Sequence, residues 1–92
     1  MIGGFKDDDT RRIFLREKSR RFNSLARIIL RKLLQIEAAI ALENLRSPPA
    51  NHLEALRGNR AGQHSIRVND QYRICFRWKN DQPYDVEVVD YH

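Results

Sequence analysis

Apolar residues recur every three or four positions in the first half of the chain and every two in the second, the change falling at Pro48-Pro49. Residues before a proline avoid helical backbone, so the pair marks the end of a helical region. Upstream, Leu25, Ile28, Ile29, Leu33, Ile36 and Ile40 fall on one side of a helix, with Arg27 and Arg31 away from the stripe. The spacing predicts a long helix over residues 24–44, capped by Asn23 or Ser24. A shorter helix is expected over 8–17, where Ile13, Phe14 and Glu17 make a brief stripe. Asp7, Asp8, Asp9 and Thr10 bring capping side chains and negative charge to its first turn. Residues 1–5 are a short apolar start suited to an edge strand.

Downstream, strands are expected at 52–56, 63–68, 72–79 and 84–89. Turn residues separate them: Gly58, Asn59 and Gly62, then Asn69-Asp70, then 80–83. Connections this short favour an antiparallel meander over crossovers. The expected architecture is α+β: two N-terminal helices packed on one face of a small, mainly antiparallel sheet of four or five strands, in one domain spanning 1–92. Ile66, Val68, Ile74, Phe76, Trp78, Val86 and Val88 would meet the helices. Arg67, Arg73 and Arg77 would lie on the other face, which sheet twist can cup into a basic groove.

Composition narrows the function. Seventeen Lys+Arg against twelve Asp+Glu give a formal charge of +5, and most of the cations are arginine. Such a surplus favours a polyanionic partner, since each neutralised phosphate releases a counterion. The one cysteine, Cys75, rules out an internal disulfide and fits a reducing compartment. No apolar run approaches the roughly 20 residues of a membrane span, and no secretory signal pattern opens the chain, so a cytoplasmic protein is expected. His52, His64 and His92 lack metal-ligand spacing, and no phosphate-binding glycine loop or serine elbow is present. No metal or other cofactor is expected.

What remains is a set of polar residues after Leu53. Glu54 and Arg57 belong to one segment, His64 and Arg67 to a second strand, Gln71 and Arg73 to a third, and Asp90, Tyr91 and His92 to the tail. On a meander these segments are neighbours. The set suits metal-free RNA cleavage, in which a base deprotonates the 2′-hydroxyl, an acid protonates the departing 5′-oxygen, and cations stabilise the transition state. Each residue also has a plain structural role open to it. Arg57 can be an exposed turn residue, His52 and His64 surface histidines, and Glu54 a cross-strand partner for an arginine.

Several stretches resemble one family. Met1-Ile2 with Phe5, Leu53-x-x-Leu56-x-Gly58-Asn59-Arg60-Ala61-Gly62 and Ser65-Ile66-x-Val68 form the first part. Gln71-Tyr72-Arg73-Ile74-x-Phe76, Tyr84-Asp85-Val86-Glu87 and Asp90-Tyr91-His92 form the second. Together they are similar to the HigB killer toxins of bacterial toxin–antitoxin modules, within the RelE/ParE superfamily. The resemblance runs over the whole chain, with its specific part in residues 53–92. It implies a RelE-like fold and metal-independent cleavage of messenger RNA on the ribosome by a toxin that is monomeric alone. It also implies a helix-turn-helix antitoxin of the HigA type, operator DNA being bound only by the toxin–antitoxin complex.

The resemblance further implies catalytic roles for Glu54, Arg57, Arg73, Asp90, Tyr91 and His92, with His92 and Asp90 moving protons and Arg73 stabilising the phosphate. Arg60, His64, Arg67 and Gln71 would contact RNA. The chain departs from well-studied members at three positions: Glu54 replaces a histidine, Arg57 a lysine and Gln71 an asparagine. Glu54 adds negative charge beside the phosphate, so a slower nuclease is expected. Two other functions are compatible with this scaffold, a ParE-like gyrase inhibitor and a non-catalytic RNA-binding module. The acid–base tail favours the nuclease over the gyrase inhibitor. The non-catalytic module, which the Glu54 departure keeps open, would bind RNA in a salt-sensitive way and leave it intact.

Overall fold

The computed structural model describes residues 1–91; His92 lies outside the described residues. Two helices, α1 (Asp8–Phe14) and α2 (Ala26–Ala38), precede four strands, β1 (Glu54–Ala55), β2 (Gln63–Arg67), β3 (Tyr72–Lys79) and β4 (Gln82–Asp90). The strands form one antiparallel sheet in the order β1-β2-β3-β4. Ile13, Phe22, Ile29, Leu33, Ile36 and Leu45 pack against Ile66, Val68, Ile74, Phe76, Val86 and Val88, so the helices cover one face of the sheet. This is the expected α+β arrangement. Among the described residues no helix is long and apolar enough to cross a membrane.

The helices are shorter than their sequence patterns. Asp7 caps α1 as expected, its carboxylate accepting from the Thr10 N–H at 3.3 Å. The helix nevertheless stops at Phe14 instead of reaching 17, and Arg16 takes a left-handed φ of 60°. Asn23 and Ser24 lie in a 3-10 turn, Asn23–Leu25, and no side chain caps α2. α2 ends at Ala38, six residues before the expected boundary, because Ala39 is extended. Asn44 then accepts from the backbone N–H groups of Ile40 and Ala41 at 3.0 and 3.1 Å, stabilising a separate 3-10 turn, Leu42–Arg46. Ile40, placed on the apolar stripe by its spacing, is therefore 80% exposed.

Strand boundaries also move. Of the expected 52–56 strand, Glu54 and Ala55 pair with β2 and the Leu56 N–H donates to Gln63 O at 2.9 Å, while a 3-10 turn, Pro49–Asn51, and a left-handed His52 occupy the approach. The turn after β3 is only Asn80-Asp81, both at positive φ, so β4 begins at Gln82 rather than 84. A two-residue loop with both residues left-handed matches the twist of the flanking strands. Near its start β4 carries one extra residue. Arg77 pairs with Tyr84 and Cys75 with Glu87, leaving Asp85 and Val86 opposite Phe76, with Asp85 at φ 52°. This bulge lets Val86 and Val88 face the core while Tyr84 stays in register with Arg77.

The opening residues make one parallel bridge, Phe5 to Val86, not a full strand. They lie along the outer side of β4, with Gly3 N–H donating to Pro83 O (2.8 Å), Val86 N–H to Gly4 O (3.1 Å) and Lys6 N–H to Val86 O (3.0 Å). The Val88 N–H donates to Thr10 Oγ1 at 3.0 Å. Gly3 is needed here, because a Cβ on it would lie 2.3 Å from the Tyr84 ring.

Candidate active site on the open sheet face

The face turned away from the helices is ordered by strand register. Arg73 on β3 stands between Arg67 on β2 and Val89 on β4. The neighbouring row on this face contains Glu54, Ser65, Cys75 and Glu87, one from each strand. Two arginines directly opposite each other repel. Carboxylates relieve this: Arg67 pairs with Asp70, and Arg73 NH1 lies 3.8 Å from Glu54 Oε1.

Arg73 is only 8% exposed, so it is not the open groove cation its strand pattern suggested. Its Nε donates to Ser65 Oγ at 2.7 Å, and its NH2 donates to the carbonyls of His52 and Ser65. These bonds fix the plane of the guanidinium and leave NH1 turned toward Glu54. The Tyr91 ring covers the same group, with the guanidinium carbon 5.9 Å from the ring centre. Tyr91 is itself held by its N–H donating to Gln71 O at 2.8 Å, and it remains 41% exposed. A cation within about 6 Å of an aromatic face is attracted to it. A rigid arginine, a tyrosine and a carboxylate thus meet at one end of the open face.

The other candidates divide. Gln71 Nε2 donates to Asp90 Oδ2 at 3.1 Å, tying the tail to the start of β3. Asp90 pairs with Tyr72, however, so strand alternation sets it on the side opposite Tyr91. His64 stands opposite Phe76, its ring 6.2 Å from that phenyl group, on the helix-covered side. Burial pushes its pKa below the ordinary histidine value. His64 is therefore separated from the Arg73 cluster by the sheet. Arg57 and Arg60 lie farther along the open face, lining a pocket with Lys6, Gly58, Asn59 and Gln63. Arg77 pairs with Asp85 at 3.6 Å beside a separate pocket that includes Gly62, Lys79 and Tyr84. Among the described residues no group of three or more His, Cys, Asp or Glu is arranged to hold a metal ion.

Three contributors escaped the sequence pattern. The Ser65 hydroxyl and the His52 carbonyl orient Arg73, and Lys32 on α2 is buried with its Nζ donating to Asn51 Oδ1 at 2.6 Å. Asn51 Nδ2 in turn donates to Gln35 Oε1 and to the carbonyls of Leu45 and Ser47, which fixes the segment just before His52. Ser65 could have been found from its place two residues before Arg67 on the polar side of β2. Nothing in the residue pattern singled out a backbone carbonyl.

The chain matches the family described as the RelE-like toxin of type II toxin–antitoxin system HigB over residues 3–92. It is 42% identical over 76 residues to Toxin HigB-1 of Vibrio cholerae, covering 80% of each chain. It is also 43% identical over 60 residues to an uncharacterized protein of Haemophilus influenzae, covering 65% of this chain and 59% of that one. Among solved structures, the YoeB-YefM complex from Staphylococcus aureus contains a chain of the same fold, with a TM-score of 0.62 at 14% identity, covering 100% of this chain and 98% of that one. The chain belongs to the HigB family of RelE-like toxins of type II toxin–antitoxin systems.

Proposed function

We propose that the protein is a metal-independent endoribonuclease that cleaves messenger RNA on the translating ribosome. The observation that carries this reading is the Tyr91 ring lying over a hydrogen-bonded Arg73, 5.9 Å from the guanidinium carbon, with Glu54 3.8 Å from the same guanidinium. In this reading Arg73 stabilises charge on the phosphorane as the 2′-oxygen attacks, and Arg57, farther along the open face, adds positive charge from a distance. Glu54 takes the 2′-proton. Tyr91 hydrogen-bonds the reacting phosphate, and His92 protonates the 5′-oxygen as the bond to it breaks. Asp90 acts from the far side of the strand by holding the tail, together with Gln71. Arg60 and Arg67 contact the RNA backbone. His64 has no part in it, because the sheet separates it from the cluster.

The ribosome supplies what a shallow face lacks, alignment of the 2′-oxygen for in-line attack, an orientation effect of large size. Free RNA is accordingly a poor substrate. The protein partner is an antitoxin, which the family and its complexed structural neighbour support. We take it to be of the helix-turn-helix type, with operator DNA bound only by the toxin–antitoxin complex. The toxin alone is a cytoplasmic monomer of one domain.

The test is to add the purified chain to translating ribosomes and map transcript ends. Cuts should appear inside coding regions, fail to appear in naked RNA, and fall by about 10²–10³-fold with Tyr91→Phe, the loss of one hydrogen-bond donor to the transition state. Intact transcripts, or a change of twofold or less in the variant, would sink the assignment. Loss of gyrase supercoiling with intact transcripts would point to the ParE-like activity instead.

A further inference from the structure

We propose that Lys6 and Arg60, gathered around Glu87 with Arg57 at the rim, form a second phosphodiester subsite for the same single-stranded RNA, one register step from Arg73 and Tyr91. This rests on the nuclease reading and adds to it where the strand runs.

The pocket is lined by Lys6, Arg57, Gly58, Asn59, Arg60 and Gln63. Lys6 Nζ lies 3.5 Å and Arg60 NH1 3.2 Å from the same oxygen of Glu87, and Arg60 NH1 also donates to Gln63 Oε1 at 3.1 Å. Three cations against this one carboxylate leave an uncompensated positive charge on an open surface. The two main cations are held in place. Lys6 is anchored by its backbone bond to Val86, and Arg60 ends a 3-10 turn, Gly58–Arg60, beside β2.

Register supplies the spacing. Glu87 pairs with Cys75 and Val89 with Arg73, so the backbone position that carries Glu87 and the one that opposes Arg73 and leads on to Tyr91 are two residues apart along β4. The Arg73 guanidinium itself reaches Ser65 on the far side of β3. Two residues of strand span roughly 7 Å, comparable to one nucleotide step of extended backbone. An RNA strand laid along the open face would thus meet cations at two successive phosphates. Such contacts set register and orientation without reading sequence. An acidic protein segment is the other polyanion that fits the charge, but continuity with the Arg73 cluster favours RNA.

The test uses an uncleavable all-2′-deoxy trinucleotide, which has two internucleotide phosphates, followed by NMR titration of the full chain. Each phosphate is replaced in turn by an uncharged methylphosphonate. In the wild type both replacements should weaken binding several-fold. In the Lys6→Ala, Arg60→Ala double variant one replacement should lose its effect, and the slope of log K against log salt should shrink by about 0.7. Glu87→Gln, which keeps every cation, should tighten binding several-fold and guards against misfolding of the double variant. Equal sensitivity to both replacements in wild type and double variant, with no gain from Glu87→Gln, would overturn the proposal. So would loss of affinity only for an acidic peptide. The titration does not depend on cleavage: paired-phosphate binding with intact ribosomal transcripts would remove the nuclease and keep the subsite, and the reverse result would do the opposite.

Discussion

Glu54 illustrates how one side chain can help and hinder the same reaction. It is half exposed and lies 3.8 Å from the Arg73 guanidinium, where it can accept a proton but also offsets the cation meant for the phosphate. On the nuclease reading, Glu54→His should raise the cleavage rate on translating ribosomes, because a neutral imidazole can act as base without that charge. A rate unchanged or lowered would show that the carboxylate is the better base in this setting. Lys32 offers a prediction about stability. Burial, and then repulsion from Arg31 and Arg67, lower its pKa from the ordinary 10.5, and its Nζ donates to an uncharged amide, Asn51. Between the lowered folded value and 10.5 the unfolded chain holds more protons, so stability attributable to this group rises with pH across that window. Denaturant unfolding should show wild type gaining on Lys32→Met as pH is raised from 7 toward 10.5. A pH-independent difference would mean that Lys32 folds as easily charged as neutral.

At the scale of elements, the β3–β4 hairpin turns on Asn80 and Asp81, at φ 53° and 58°. The left-handed region costs an L residue energy that glycine avoids, although glycine also loosens the unfolded chain. Asp81→Gly, which makes the Asn-Gly pair favoured in such turns, should raise stability by up to about 1 kcal/mol in thermal melts. β3 was legible residue for residue, because its apolar and polar positions alternate without interruption from Tyr72 to Trp78. The end of α2 was not, since Ile40 continues the helical spacing while the Asn44 side chain captures the Ile40 and Ala41 N–H groups. The nearness of Tyr91 to Arg73 was readable in principle from β4 alternation: Val89 opposes Arg73, and Tyr91 is two residues on. The same alternation sets Asp90 and His64 on the other side, which grouping residues by segment could not reveal. Lys6 was invisible for a different reason. It reaches the open face from a segment 81 residues away from Glu87 in sequence, joined to it by backbone bonds that carry no residue signature.

Taken whole, the molecule keeps its apolar packing between helices and sheet and spends its other face on charge. Central β2 and β3 are paired on both sides, leaving β1 and β4 as the flanks. β1 is two residues long, whereas β4 runs for nine, and its outward backbone groups are occupied at Pro83, Val86 and Val88 by Gly3, Gly4, Lys6 and Thr10. The opening segment is therefore a shield as well as the carrier of Lys6. Deleting residues 2–5 would free Pro83 O and the Val86 N–H at the start of this margin, onto which a second copy can add its own strand. Sedimentation velocity should then show concentration-dependent self-association absent from the intact chain. A truncated protein that stays folded and monodisperse at high concentration would mean the margin is protected by its twist alone.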